Sequence, residues 1–393
     1  MITDFSAKEP ALGYYHQIRF SLYLLLIISK DMINPCLKLE NLDDIEVDDI
    51  DRKNLYQTKL HINSIANLTD RSPDFWKTIR IWSENISMEL IDINNTIFSL
   101  ITTAKTSKDS FINNFNINNS SKDNIKATLD SMLNICSEKT NEINRKGYEA
   151  FSSLTTEQQQ RLISNIRIID SSLSIEDTLS ELKKELRFSA PTDKVDVFVE
   201  RIEGWWFQEC IKILCLKRDS ISANELNRRI SDIRDSFQEE NLPDDFADPM
   251  TISEEELPNY EMKVFVKQLK LIAIKNTMLR NAISDFRRAY EQRSRWLRED
   301  LANMDEYERF DNQLKDYWNN IFAIIKDECE DFSSEKLEKA GHEFYKKYYV
   351  ESVPPCRIRA GFQSQYLTRG SCHMLADEKK IGWHPNFNIL LDL

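Results

Sequence analysis

The pattern of apolar and polar positions changes its period several times along the chain. Residues 10–29 are apolar on nearly all sides, which predicts a buried first helix. Residues 37–47 and 55–61 alternate at period two, which predicts two short strands that pair as a hairpin. Residues 95–103 are a β-branched apolar run, typical of a buried strand. The first part of the chain is therefore predicted to hold a small mixed sheet with flanking helices.

The remainder of the chain favours helices. Residues 122–187 show apolar spacings of three and four, and helices continue to about residue 349 after a break at residues 188–192. Pro191 ends the preceding helix and marks the predicted domain boundary. An acidic stretch at residues 241–258 carries three prolines and predicts a loop. We therefore expect an α/β domain over residues 1–190 and a mostly α domain over residues 191–393.

Composition and charge narrow the class of protein. The 393 residues suffice for two domains, and only 7 Gly and 10 Pro favour a helical chain. A net charge of −13 excludes DNA binding through bulk charge, so any DNA contact needs a local basic lining. Seven cysteines without a C-x-x-C pair indicate reduced thiols in the cytoplasm. The apolar run at residues 20–28 is about half the length that crosses a bilayer, so we expect no membrane span.

The hairpin carries the candidate chemistry. The acid pair of Asp43 and Asp44 is predicted at the start of one strand, opposite the amide and the amine of its hairpin partner. On that partner strand Gln57, Lys59 and His61 share one face. Asp44 and the carbonyl oxygen of Gln57 are suitable ligands for a hard divalent cation. Such a cation polarises a phosphodiester and lowers the pKa of a bound water, while Lys59 stabilises developing charge. The alternative is a solvated hairpin edge whose lysine protects against aggregation.

An Asp, about a dozen residues and then Gln-x-Lys resemble the restriction-endonuclease-like PD-(D/E)xK nucleases, in their variant with Gln as the second ligand. Residues 43–45 and 56–59 are similar in sequence to the double-stranded-DNA nuclease domain of bacterial antiviral effectors. This resemblance implies a restriction-endonuclease-like fold and a DNA endonuclease that uses Mg²⁺ (or Mn²⁺). Asp44, Gln57 and Lys59 would be its catalytic residues, with Asp43 and Glu40 as further metal ligands or their support.

Two flanking segments resemble the same family. The segment at residues 13–17 is similar to the start of its first helix, and residues 75–82 to a later helix. In that later helix Ser72 is a predicted cap and Pro73 a predicted first residue. Its Lys77 and Arg80 are candidate DNA-binding residues, or else solvated cations on a core helix.

The C-terminal half resembles a different family. Residues 287–298 contain five arginines, which predict either a DNA-facing stripe or a structural, partner-binding helix with i,i+4 ion pairs such as Arg287 with Glu291. This run and residues 367–385 resemble the C-terminal domain of ABC-ATPase three-component defence systems.

A nuclease followed by such a domain is similar to the nuclease subunit of the Lamassu type of system. The resemblance implies an SMC-like ABC ATPase and a third subunit as partners, and an effector that becomes active as a homo-oligomer. The alternative is a non-catalytic scaffold with a degenerate nuclease fold.

Overall fold

The computed structural model describes residues 8–49, 52–60, 66–117, 125–138, 141–329 and 331–392. The chain divides into two compact units, Met1–Ile233 and Arg234–Leu393. The first unit is mixed α/β and the second is helical. A small sheet followed by a mostly helical part is therefore confirmed. Within the described ranges, no helix combines the length and the apolar character that a membrane crossing requires.

The first unit is organised around a mixed six-stranded sheet. The strands of this unit, in chain order, are β1 (Cys36–Leu39), β2 (Ile45–Asp48), β3 (Lys53–Lys59), β4 (Asn67–Leu68), β5 (Thr96–Thr102), β6 (Lys105–Thr106), β7 (Ile166–Ile169) and β8 (Ile221–Ser222). The spatial order is β7-β5-β3-β2-β1-β8, while β4 and β6 form a separate pair. Strands β1, β2 and β3 are antiparallel neighbours, and β3, β5 and β7 run parallel.

The helices of this unit pack in two groups. Helix α1 contacts α6 and α7, whereas α2 contacts α4 and β5. On the α2 side, Leu55 of β3 and Phe98 of β5 join Trp82 in one buried apolar cluster. The helices are α1 (Lys8–Ile28), α2 (Pro73–Ser87), α3 (Ile125–Ser137), α4 (Arg145–Ser153), α5 (Thr156–Asn165), α6 (Ile175–Leu186), α7 (Val195–Leu214) and α8 (Ala223–Ser236).

The predicted first strand at residues 37–47 is in fact a hairpin of two strands. Leu39 of β1 pairs with Ile45 of β2, and the residues between them form the turn. Glu40 adopts a φ of 50°, a left-handed conformation that ends β1 and reverses the chain. The acid pair therefore lies in the turn just before β2, which is antiparallel to β3, and Ile45 lies opposite Tyr56.

Two other details of the prediction were wrong. The stretch predicted as helical throughout residues 122–187 contains β7, because Ile166 and Ile168 pair with the edge of β5. Ser72 does not cap α2 with its side chain, because its Oγ accepts from the backbone N–H of Thr69 at 2.8 Å instead. Pro73 does begin that helix.

The division between the units lies after Ile233 and not at Pro191. Helix α7 belongs to the first unit, because Trp206 Nε1 donates to the carbonyl oxygen of Ile18 on α1 at 3.0 Å. Strand β8 also belongs there, since Ile221 pairs with Leu37 of β1. Contacts between residues distant in sequence thus make the first unit about forty residues longer than a boundary at Pro191 predicts.

The second unit is helical, and its core is one apolar cluster. Gly370 lets α13 approach α10 closely, since a Cβ at that position would lie 2.1 Å from the carbonyl oxygen of Asp285. The elements are α9 (Val264–Leu271), α10 (Asn276–Arg298), α11 (Met304–Glu328), α12 (Ser334–Tyr345), a π-helical turn (Lys346–Glu351), α13 (Gln365–Asp377) and α14 (Phe387–Leu391).

The arginine-rich run lies on α10 and serves the structure of this unit. Arg293 is buried and its guanidinium meets the carboxylate of Asp311 at 2.9 Å. Arg287 pairs with Glu256 at 3.1 Å, not with the predicted Glu291. These contacts favour the structural alternative over a DNA-facing stripe.

Candidate active site

The turn between β1 and β2 holds Asp44 through its backbone. The carbonyl oxygen of Asp44 accepts from Gln17 Nε2 on α1 at 2.7 Å and from the N–H of Glu40 at 3.2 Å. The same Gln17 nitrogen donates to Glu40 Oε1 at 2.9 Å. Gln17 is buried, so these hydrogen bonds are shielded from water. Helix α1 therefore fixes the turn between β1 and β2 through the side chain of Gln17.

The carboxylate of Asp44 is anchored on one side only. Its Oδ2 accepts from the N–H of Thr58 at 2.8 Å and from Thr58 Oγ1 at 2.9 Å. No residue in the described ranges donates to its Oδ1. The two hydrogen bonds from Thr58 on β3 therefore orient the Asp44 carboxylate, and its Oδ1 remains available to a ligand.

Gln57 presents an unpaired oxygen. Its side chain is 2% exposed, and its Oε1 is buried without a donor from the described part of the chain. A buried amide oxygen without a partner costs about 1–3 kcal/mol. An amide oxygen is also a hard ligand that suits Mg²⁺ or Mn²⁺. Lys59, two residues further on β3, shares the face of Gln57 and is partly exposed.

Asp43 supports the backbone of Asp44 through hydrogen bonds. Its Oδ2 accepts from Trp82 Nε1 on α2 at 2.6 Å, and its Oδ1 accepts from the N–H of Asp44 at 2.9 Å. Burial raises the pKa of Asp43 to about 7, and the charge of Asp44 acts in the same direction. The Trp82 hydrogen bond, the Asp44 N–H and the charge of Lys59 oppose that rise in pKa. Both oxygens of Asp43 are used, so its suggested role as a direct ligand does not match this geometry.

A divalent cation at this site would have a small protein ligand set. Among the candidate site residues, Asp44 Oδ1 and Gln57 Oε1 accept no hydrogen bond from the described part of the chain. The described ranges contain no cluster of three His, Cys, Asp or Glu side chains with metal-binding geometry. Mg²⁺ usually takes one or two carboxylates and completes its shell with water and substrate phosphate. Glu40, which is exposed and bonded to Gln17, is near enough in the chain to assist.

The two candidate DNA-binding residues lie elsewhere. Lys77 and Arg80 border a cleft beside α4 together with Lys146. At 3.6 residues per turn, Arg80 points about 200° away from Trp82 around α2. The structure therefore does not bring Lys77 and Arg80 to the face that Asp43 meets. His61, the remaining polar residue of the predicted strand, lies outside the described residues.

Sequence reasoning missed three residues that shape the site. Gln17 and Thr58 hold Asp44, and Trp82 holds Asp43. A tryptophan on an apolar helix face needs an acceptor for its N–H, which was a usable signal for Trp82. The role of Thr58 rests largely on its backbone N–H, which no residue pattern reveals.

One comparison with known proteins concerns the second unit. Residues 265–391 match the family model for C-terminal domain 7 of the ABC-three component (ABC-3C) systems. This segment is similar to that C-terminal domain. The match supports membership in an ABC-3C defence system, and such systems consist of several components. The predicted resemblance of the C-terminal half to this domain is thereby confirmed. The Lamassu type and the role as nuclease subunit remain predictions.

The solved structures offer only a distant likeness. A Cap4 SAVED/CARF-domain containing receptor of Moraxella osloensis is 16% identical with a TM-score of 0.36, and 71% of this chain aligns with 61% of the receptor. The Acinetobacter baumannii Cap4 receptor is 12% identical with a TM-score of 0.32, over 70% of this chain and 60% of the receptor. The chain thus spans about 60% of the length of these receptors. No curated protein sequence matches it.

Proposed function

We propose that this protein is a metal-dependent endonuclease that cuts double-stranded DNA, the effector subunit of an ABC-3C defence system. One observation carries the proposal. The buried, unpaired Oε1 of Gln57 lies on the strand that anchors Asp44, and Lys59 follows on the same strand face. A stable protein rarely leaves such an oxygen unpaired, so a ligand for it is the simplest explanation.

In the proposed mechanism each residue has one role. Asp44 Oδ1 and Gln57 Oε1 would hold Mg²⁺ or Mn²⁺, and Thr58 keeps the Asp44 carboxylate in place. A cation held there would supply Lewis-acid chemistry for hydrolysis of the scissile phosphodiester. Lys59 donates to a non-bridging phosphate oxygen and stabilises the charge that develops there. Asp43, fixed by Trp82, keeps the backbone of Asp44 from moving during the reaction.

Plasmid cleavage by the full chain tests this function. With Mg²⁺ or Mn²⁺ we expect linear and nicked products, and a chelator should abolish them. Removing one charge-stabilising donor costs about 100- to 1,000-fold in rate, which is the loss expected for Lys59→Ala. The matched control is Lys126→Ala, an exposed lysine on α3. Cleavage by Lys59→Ala at the wild-type rate would contradict the assignment of the site.

We also propose the partners and the switch of this enzyme. The ABC-3C C-terminal domain supports an assembly with an ABC ATPase of the SMC-like kind and a third subunit, as in the Lamassu type. One active site cuts one strand, so a double-strand break needs two copies side by side. A single copy held in the complex would then be inactive, and a homo-oligomer active. In the same plasmid assay the rate should rise more steeply than linearly with protein concentration, and a stable monomer with linear dependence would rule the switch out.

A non-catalytic scaffold is the second candidate. It is favoured by the lack of a three-residue metal cluster in the described ranges. A scaffold would bind its partners and leave plasmid DNA intact with Mg²⁺ and with Mn²⁺, both alone and in the assembled complex. Cation-dependent cleavage that Lys59→Ala removes would exclude it.

A further inference from the structure

Positive charge collects in one cleft on the outer side of α2. The cleft is bordered by Lys77 and Arg80 of α2, by Lys146 in the first turn of α4, and by Asn144 and Asp74. Three cations against one acid give a local excess of +2 in a chain whose net charge is −13. Such an excess is a candidate footprint for a polyanion.

These cations differ from others of the same unit in their partners. Within the described ranges, neither Lys77 nor Lys146 has an ion pair or a hydrogen bond from its amine. Arg80 meets Glu84 only at 3.6 Å, and its buried Nε has no hydrogen-bond acceptor there. By contrast, Arg19 pairs with Glu203 at 2.5 Å. Charge that is not neutralised by the fold remains available to a ligand.

Two helix ends add to the positive potential. Pro73 and Asp74 begin α2, and Asn144 and Lys146 begin α4, so the N-terminal ends of both helices border the cleft. Neither N-terminus is capped by a side chain. Helix N-termini carry a partial positive charge and favour anions. The two ends act in the same direction as the three cations.

The size of the cleft and its position limit the ligand. Its volume of about 190 Å³ is below the roughly 300–1,000 Å³ of small-molecule pockets, so it suits a single phosphate group. Asp44, Gln57 and Lys59 do not line the cleft, so it is separate from the candidate catalytic groups.

We propose that the cleft between α2 and α4 holds a backbone phosphate of the DNA substrate, remote from the bond that is cut. The proposal rests on the proposed nuclease function and adds Lys146 and the α4 N-terminus to the DNA contact. Lys77, Arg80 and Lys146 bind the phosphate oxygens and position the duplex. They take no part in the chemical step, so the cleft affects affinity and not the turnover of bound DNA.

The test measures duplex binding separately from cleavage. Fluorescence anisotropy follows a labelled 20-base-pair duplex with the full chain carrying Lys59→Ala, at salt concentrations from 50 to 200 mM. Adding Lys77→Ala or Lys146→Ala should weaken binding about three- to tenfold and reduce the salt slope by about 0.9 for each lost phosphate contact. Adding Lys126→Ala, the matched exposed lysine, should leave both quantities unchanged. In cleavage with protein below saturation, Lys146→Ala in the otherwise wild-type chain should cut more slowly in step with its weaker binding, whereas Lys126→Ala should keep the wild-type rate.

The outcomes separate the two proposals. If Lys77→Ala and Lys146→Ala keep the parent affinity and salt slope, or if the parent binds no duplex at 50 mM salt, the cleft is not a phosphate site, even where the wild type cuts plasmid DNA. If the wild type never cuts DNA but the two lysines set its binding and salt slope, the cleft stands and the nuclease assignment fails.

Discussion

At the scale of single residues, His373 links the stability of the second unit to pH. Its ring is buried between Phe265 and Trp383, and its Nε2 meets the hydroxyl of Tyr345 at 3.3 Å. Burial lowers the pKa of His373 to about 3, and the nearby charge of Arg369 acts in the same direction. The unfolded chain takes up this proton below about pH 6.5 while the folded chain does not. The stabilising contribution of the neutral ring is thus complete above pH 6.5 and is lost as the pH falls toward 3.

We expect His373→Gln to remove this part of the pH dependence. One pH unit below 6.5 corresponds to about 1.4 kcal/mol, so between pH 7 and pH 5 the wild type should lose about 2 kcal/mol more than the variant. Urea unfolding at several pH values gives the free energies of unfolding. Burial also lowers the pKa of His16 and His384, so only the difference between wild type and variant reports on His373. Parallel curves for the two proteins would contradict the assignment.

At the scale of elements, the packing of α4 on α2 depends on Gly147. A Cβ at this position would lie 2.4 Å from the carbonyl oxygen of Trp76, so the helices could not keep their separation. Overpacking costs about 1–3 kcal/mol, more than the roughly 0.5–1 kcal/mol that alanine gains over glycine within a helix. Gly147→Ala should therefore destabilise the protein by about 1–2 kcal/mol in urea unfolding. Gly204→Ala is the matched control, since nothing lies within 4 Å of its Cβ position on α7. It should stabilise the protein, and equal effects of the two changes would refute this account.

Sequence periodicity predicted those elements whose pattern is set locally. Helix α5 is one, because the capping box of Thr155 with Gln158 lies within a few neighbouring residues of the sequence. Strand β7 was missed, because four residues at Ile166–Ile169 look like the end of a helix until β5 is known to lie beside them. The hairpin of β1 and β2 was taken as one strand, since the left-handed turn at Glu40 has no glycine to mark it.

The candidate site was predictable in part for the same reason. The spacing from Asp44 to Gln57 and Lys59 identified residues that the fold places in the turn before β2 and on the neighbouring antiparallel strand β3. The use of Asp43 was not predictable, because its indole partner Trp82 is brought in by packing of α2 over the sheet. Two neighbouring aspartates are equivalent in the sequence and become different only through burial. The spacing identified candidate residues, and tertiary packing decides what each of them contacts.

At the scale of the whole molecule, the position of the boundary between the units determines which helices and strands the first unit needs in order to fold. A division at Pro191 would leave α7 and β8 in the second half of the chain. Helix α7 buries Phe198, Val199, Ile202 and Trp206 in the first unit. Each fully buried side chain of this kind contributes about 1.5–3 kcal/mol, so these four contribute about 6–12 kcal/mol. Typical domains have a total stability of only about 5–15 kcal/mol, so the first unit cannot lose α7 and remain folded.

We therefore expect residues 1–233 and residues 1–190 to behave differently when each is expressed alone. The longer fragment should be monodisperse and unfold cooperatively, because it keeps α7 over α1 and keeps β8 along β1. The shorter fragment exposes the apolar surface that Trp206 covers and leaves β1 as an open sheet edge, which promotes aggregation. Size-exclusion chromatography with light scattering and thermal unfolding compare the two. If residues 1–190 form a monomer with the same unfolding midpoint as residues 1–233, α7 is not part of the first unit in solution, and the boundary belongs at Pro191.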